Sequence, residues 1–153
     1  MIRKAKFKDL VEILNLENLT FDSGLTRKDL ENNLMNEQLF YFVYEIEKEI
    51  IGYISGQVVN DEAEIYFFTI KDNYRKKGYG DQLLKYLLNL CKEYEIKTIT
   101  LETRVSNLAA RKIYQKNSFI EIGIREKYYT YFDEDAVILR WESDKNDNIS
   151  GWI

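Results

Sequence analysis

The chain has 153 residues, 45% hydrophobic and 14% aromatic, which is the usual length of one domain with apolar surface enough for its own core. A net charge of −4 gives no global signal for nucleic acid and suits a basic peptide partner, and a single cysteine excludes an internal disulfide. With no histidine, imidazole-based triads and most zinc sites are excluded; no metal is expected, and any acid or base must be Glu, Asp, Lys, Tyr or an amine.

In chain order, Ile2 to Phe7 reads as a short first strand. The N-terminal MIRKAKFKDL has positive charges but no apolar run behind them. No stretch reaches membrane-spanning length, so the expectation is a cytoplasmic protein with no membrane partner. Leu10, Val11, Ile13, Leu14 and Leu16 make one apolar helix face through about Leu19, and Phe21 to Leu25 interrupts it. Thr26 then reads as an N-cap with Asp29 in the first turn of a second helix carrying Leu30, Leu34 and Met35, and the loop before it is placed to face a substrate. Leu39 to Ile46 and Ile50 to Val59 read as a hairpin about Glu47-Lys48-Glu49, with a further turn at Asn60-Asp61.

Ile65 to Ile70 is an unbroken apolar, aromatic and β-branched run, which predicts a central strand buried on both faces. Asp72 and Asn73 turn the chain into Arg75-Lys76-Lys77-Gly78-Tyr79-Gly80. From Asp81 the residues Leu83, Leu84, Leu87, Leu88 and Cys91 recur at helical spacing, with Cys91 expected as a small buried hydrophobe. Strand, basic glycine loop and helix N-terminus together make an anion site, because unpaired first-turn amides and the helix dipole favour phosphate. Leu83 stands where a dinucleotide fingerprint needs its third glycine, and Asp81-Gln82 where a P-loop needs Lys-Ser or Lys-Thr. The same pattern also fits a plain strand-to-helix turn with a solvated basic edge.

Beyond that helix, Lys97 to Thr103 alternates as a strand, with Ile99, Leu101 and Thr103 on one side and Thr98, Thr100 and Glu102 on the other. Ser106 or Asn107 caps a helix through Ala109, Ala110, Ile113 and Tyr114 that ends near Asn117-Ser118. Phe119 to Glu126 and Ala136 to Glu142 read as two last strands joined by a Tyr- and Asp-rich loop, Lys127 to Asp135. The layout is a single α/β layered domain over 1–142 with a polar tail over 143–153.

The segment Arg75 to Gly80 fits Arg/Gln-x-x-Gly-x-Gly/Ala and resembles the acetyl-coenzyme A pyrophosphate loop of the GNAT acetyltransferases. The run Leu101-Glu102-Thr103-Arg104-Val105-Ser106-Asn107-Leu108-Ala109-Ala110, with Ile113-Tyr114 and Phe119, resembles the second signature of that family. More narrowly it is similar to LEVRxSNxxA…LYxxxGF of the bacterial ribosomal-protein alanine N-acetyltransferases, whose YY and EDA segments Tyr128-Tyr129 and Glu134-Asp135-Ala136-Val137 also resemble. Two departures stand out. Ser118 replaces a glycine, leaving Asn117 as the expected left-handed residue, and Phe21-Asp22-Ser23-Gly24 replaces Phe-Pro-Trp-Ser in the substrate loop.

The resemblance implies a GNAT fold with a mixed, mostly antiparallel central sheet flanked by helices. It implies an enzyme moving acetyl from acetyl-CoA to a protein N-terminal α-amine, with a basic ribosomal protein as the peptide partner and no nucleic acid. By motif, backbone at Phe68, Thr69 and Ile70 would hold pantetheine and thioester. Arg75 and the segment Lys76, Lys77, Gly78, Tyr79, Gly80 and Asp81 would hold the pyrophosphate, and Asn107 would contact coenzyme A. Glu102 would be the general base, Tyr114 the general acid, and Tyr128 and Tyr129 would meet the peptide. Read from the residues alone, Glu102 also fits an exposed strand carboxylate and Tyr114 a core aromatic. The alternatives are a GNAT acting on a small amine or lysine side chain, and a non-catalytic CoA-binding module.

Overall fold

The computed structural model describes residues 1–21, 23–129 and 134–143, with the backbone alone at 127–129. In order the elements are β1 (Ile2–Lys4), α1 (Leu10–Phe21), α2 (Arg27–Met35), β2 (Leu39–Ile46), β3 (Glu49–Val59), β4 (Glu62–Ile70), α3 (Tyr79–Glu93), β5 (Thr98–Arg104), α4 (Leu108–Lys116), β6 (Ile120–Tyr129) and β7 (Glu134–Glu142). Asp22 and the tail beyond Ser143 lie outside the described residues. Among the described residues no helix is long and apolar enough to cross a membrane.

The strands form one mixed sheet in the order β1-β2-β3-β4-β5-β7-β6, with the parallel pair of β4 and β5 at the middle. Alternation sends side chains to two separate layers. On one face Tyr41, Val43, Ile50 and Tyr53 meet Leu10, Ile13 and Leu16 of α1 and Leu30 of α2. On the other, Ile54, Ala63, Ile65, Ile99 and Leu101 meet Leu83, Leu84, Leu87, Leu88 and Cys91 of α3 and Tyr114 of α4. All five apolar α3 positions expected from the spacing are buried, each fully buried leucine stabilising by about 1.5–3 kcal/mol relative to exposure. Burial pushes the Cys91 thiol up to about 11, as suits an inert core residue.

Local signals also hold. Thr26 Oγ1 accepts the Asp29 N–H at 3.1 Å while Asp29 Oδ2 accepts the Thr26 N–H at 3.0 Å, a closed capping box. The β2–β3 hairpin turns through Glu47 and Lys48, both left-handed at φ 49° and 68°, the geometry that matches strand twist.

Several expectations are corrected. Helix α1 continues to Phe21, so Phe21 ends the helix and does not interrupt it. Val11 and Met35 point outward, because the buried stripes of α1 and α2 are narrower than the apolar residues suggest. At the exit of α4 it is Ser118 that is left-handed, at φ 70°, and Asn117 stays at φ −98° because its side chain is tied to Asp81. Strand β6 runs on to Tyr129 and β7 begins at Glu134, so both ends of the expected loop at Lys127 to Asp135 are strand, and 130–133 between them lie outside the described residues.

Strand β4 is central but is not buried on both faces, since Tyr66 is 45% exposed. The cause is a bulge: Gly56 pairs with Ile65 and Ser55 with Phe67, leaving Tyr66 as the extra residue. At Gly56 an added Cβ would lie 1.9 Å from the Glu64 carbonyl oxygen, so only glycine permits this close approach. A bulge increases local twist. The β4–β5 ladder accordingly ends at Ile65 and Leu101, although β4 continues to Ile70 on β3 and β5 to Arg104 on β7.

Candidate active site

Where β4 and β5 part, the C-terminal half of β4 has a ladder on one edge only, so its other edge offers backbone donors and acceptors. Phe68, Thr69 and Ile70 lie on this stretch, opposite Ile54, Tyr53 and Gly52 of β3. Their side chains are spent on packing: Phe68 faces Tyr114 with ring centroids 5.9 Å apart, and Thr69 Oγ1 lies 3.3 Å from Thr20 Oγ1 of α1. Phe21, next along α1, packs on Phe67 at 4.9 Å. The end of α1 is thereby fixed against the opening.

The glycine loop leads from β4 into α3, which begins at Tyr79, two residues before the expected Asp81. Gly78 is the N-cap at φ 87°, a left-handed position, and supplies no side-chain cap. The N–H groups of Gly78, Tyr79, Gly80 and Asp81 find no acceptor among the described residues. They form an uncapped helix terminus suited to an anion. Gly80 differs from Gly78, lying inside the helix with its missing Cβ 3.5 Å from Phe68 and 3.6 Å from Ile113 and Ile70.

The side chains of the loop are more committed than the sequence suggested. Arg75 Nε donates to the Ile70 carbonyl at 2.9 Å and Nη1 pairs with Asp72 at 2.8 Å, so Arg75 braces the turn. Lys77 sits over the Tyr74 ring at 5.9 Å, and Lys76 is left-handed at φ 62°; both are exposed. The Tyr79 ring packs inward, 5.1 Å from Tyr44 and 6.1 Å from Tyr74, leaving its backbone for the anion site. Asp81 accepts from Asn117 at 2.8 Å and from Lys85 at 2.7 Å, joining α3 to α4. Burial pushes its carboxyl up, but the Lys85 and Asn117 hydrogen bonds and the Lys116 and Lys85 charges outweigh that and hold it below the usual range.

Glu102 and Tyr114 occupy opposite faces of the sheet at the opening. Glu102 sits on the α1/α2 face with Thr98 and Thr100, its side chain 17% exposed and paired with Arg125 at 2.8 Å. Tyr114 is buried on the α3/α4 face between Phe68 and Phe119. Asn107 is the α4 N-cap, its Oδ1 accepting the Ala110 N–H at 3.2 Å, so its carbonyl serves the helix. Tyr128 and Tyr129 lie on β6 by backbone, Tyr129 opposite Glu134, and their side chains fall outside the described residues.

Sequence reasoning missed Arg125, Glu64 and Thr20. None belongs to a motif: strand register brings Glu64 and Arg125 to the opening, and the packing of α1 on the sheet brings Thr20 there.

A model of the acetyltransferase (GNAT) family matches residues 7–119. The [ribosomal protein bS18]-alanine N-acetyltransferase of Escherichia coli K12 is 38% identical over 140 residues, covering 90% of this chain and 94% of that protein. An N-alpha-acetyltransferase of Sulfurisphaera tokodaii is 26% identical over 151 residues, covering 90% of each. The crystal structure of the Escherichia coli ribosomal-protein-S18-alanine N-acetyltransferase superposes with a TM-score of 0.84 at 28% identity, covering 93% of this chain and 92% of that one.

Proposed function

The chain belongs to the GNAT acetyltransferase family, and from that premise we propose that it transfers acetyl from acetyl-CoA to the N-terminal α-amine of a protein, with a ribosomal protein bearing N-terminal alanine as the acceptor. The single observation that carries the reading is the parting of β4 and β5, with an uncapped helix N-terminus on one side and a carboxylate on the other. The relatives' names supply the acceptor class. The setting is the cytoplasm.

In this reading the first-turn amides of α3 hold the diphosphate of acetyl-CoA, and the open edge of Phe68 to Ile70 holds its pantetheine arm. Asn107 retains its Nδ2 donors for coenzyme A. The acceptor enters from the α1/α2 face. A free α-amine titrates at about 7.7–8.0, so most of it is protonated at neutral pH and must lose a proton before it can attack. Glu102 takes that proton, directly or through a water, as the amine nitrogen bonds to the thioester carbonyl carbon. As the tetrahedral intermediate collapses by breaking its C–S bond, its nitrogen gives up its second proton to solvent, the thiolate receives the Tyr114 proton, and a proton from solvent restores the phenol. A free phenol near 10 is a weaker acid than a thiol near 8.5, an uphill transfer of about 2 kcal/mol, so Tyr114 acts first through a hydrogen bond, with transfer late.

The test is incubation with acetyl-CoA and a panel of N-terminal peptides read by mass spectrometry, with lysine-only peptides and polyamines as controls. Acetylation confined to α-amines, strongest on an alanine terminus followed by basic residues, is expected. Acetylation of only lysine side chains or polyamines would overturn the acceptor, and binding of acetyl-CoA without turnover on any amine would overturn the enzyme.

A further inference from the structure

Glu102 and Arg125 come from strands separated by β7, yet Arg125 Nη2 lies 2.8 Å from Glu102 Oε1. Register explains the reach. Glu102 pairs with Ile138, which pairs with Gly123, while Ala136 pairs with both Arg104 and Arg125. With no side chain at Gly123 and only a methyl at buried Ala136, the stem of Arg125 has a low path across β7 toward β5. On the opposite flank Glu64 pairs with Thr100, which makes it the diagonal neighbour of Glu102 on the same face.

The electrostatics agree with that layout. The Glu64 carboxyl is held above its ordinary value, first by desolvation and then by the charge of Glu102, with Arg125 drawing it back. The other cations these strands bring to this face have carboxylates of their own: Arg104 lies 3.9 Å from Glu134, and Arg140 lies 3.2 Å from Glu142. Two carboxylates on neighbouring strands repel, and without a counter-charge the repulsion would swing the Glu102 side chain away from Glu64 and out of place. A guanidinium bonded to one of them fixes its direction as well as its charge.

We infer that Arg125 is a positioning residue for Glu102, and that it is required because Glu64 repels the same carboxylate. The three side chains, from β4, β5 and β6, form one balanced unit bridging the acceptor face. This rests on the reading of Glu102 as the base. It adds to that reading two residues outside every motif, and it predicts that they are coupled to each other through Glu102.

The experiment measures acceptor kcat and KM for wild type, Arg125→Gln, Arg125→Lys, Glu64→Gln and the Arg125→Gln/Glu64→Gln double variant, with circular dichroism as the folding check. Arg125→Gln should lower kcat roughly ten- to a hundredfold, the scale of a displaced catalytic group, while calorimetric affinity for acetyl-CoA is unchanged. Arg125→Lys should recover much of the loss. In the Glu64→Gln background the same Arg125→Gln change should cost at least about threefold less, the coupling expected of residues in one charge network. Wild-type kcat in Arg125→Gln, an equal loss in both backgrounds, or no recovery with lysine would each overturn the inference. Glu102→Gln separates the two levels: full turnover there sinks the base itself, whereas an inactive Glu102→Gln with a flat Arg125 series sinks only the positioning role.

Discussion

Gly78 and Gly80 stand two residues apart at the start of α3, one the N-cap and the other in the first turn, yet alanine should act on them with opposite signs. At Gly78 an added Cβ meets nothing within 4 Å, so the whole cost is conformational: φ is 87°, and holding an L-residue in the left-handed region costs about 1–2 kcal/mol. At Gly80 the backbone is helical, and the added Cβ would sit 3.5 Å from Phe68 Cζ and 3.6 Å from Ile113 Cδ1 and Ile70 Cγ1, which are ordinary contacts. There alanine restricts the unfolded chain without strain and should stabilise by about 0.4–1 kcal/mol. The two variants should therefore differ by about 1.4–3 kcal/mol, read from urea denaturation midpoints at constant m. Acetyl-CoA affinity, measured by calorimetry, should survive Gly80→Ala. Valine at Gly80 adds methyls where Phe68 and Ile113 already touch and should cost about 1–3 kcal/mol. Valine at Gly78 distorts the cap and should weaken acetyl-CoA binding by more than about tenfold, the loss of one or two charge-assisted hydrogen bonds. Equal effects of alanine at the two positions, or a destabilised Gly80→Ala beside a neutral Gly78→Ala, would refute this account of the loop.

Glu102→Gln should lose roughly 10²–10⁴ in turnover with acetyl-CoA affinity intact, measured by steady-state kinetics and calorimetry. Tyr114→Phe should fold normally and lose turnover, whereas Tyr114→Ala empties a buried ring site and should cost about 3–5 kcal/mol of stability in denaturant titrations. Ser118→Gly, relieving a left-handed serine at φ 70°, should stabilise the fold by about 1–2 kcal/mol. Glu17 is fully buried on α1, where burial raises its carboxyl against the opposing hydrogen bonds from Tyr53 and Ser23. A raised folded value means the folded state holds the proton longer, so stability is lost as pH rises from the unfolded glutamate value through the folded one. Glu17→Gln should remove that loss, so its advantage over wild type should grow with pH across this window in thermal melts; a pH-independent difference would contradict the raised value.

Local chain chemistry was enough for the elements. The Leu83-to-Cys91 stripe, the Thr26–Asp29 box, the alternation that sends Glu102 away from Ile99 and Leu101, and the uncapped glycine start of α3 each depend on neighbours within a turn or a strand pair, so spacing alone reveals them. The positions of Glu102 and Tyr114 within motifs were likewise readable. What spacing could not reveal was where the sheet opens, because that follows from a bulge at Tyr66 set by the backbone of Gly56 on another strand. Nor could it show that Ser118 would accept the left-handed exit while Asn117 was drawn off to Asp81, a partner 36 residues distant in sequence. Arg125 reaches Glu102 only because Gly123 and Ala136 line up across an intervening strand, and Glu64 joins them through the parallel register of β4 on β5. Registers between distant strands are settled by the packing of both sheet faces at once, and no window of sequence contains that information.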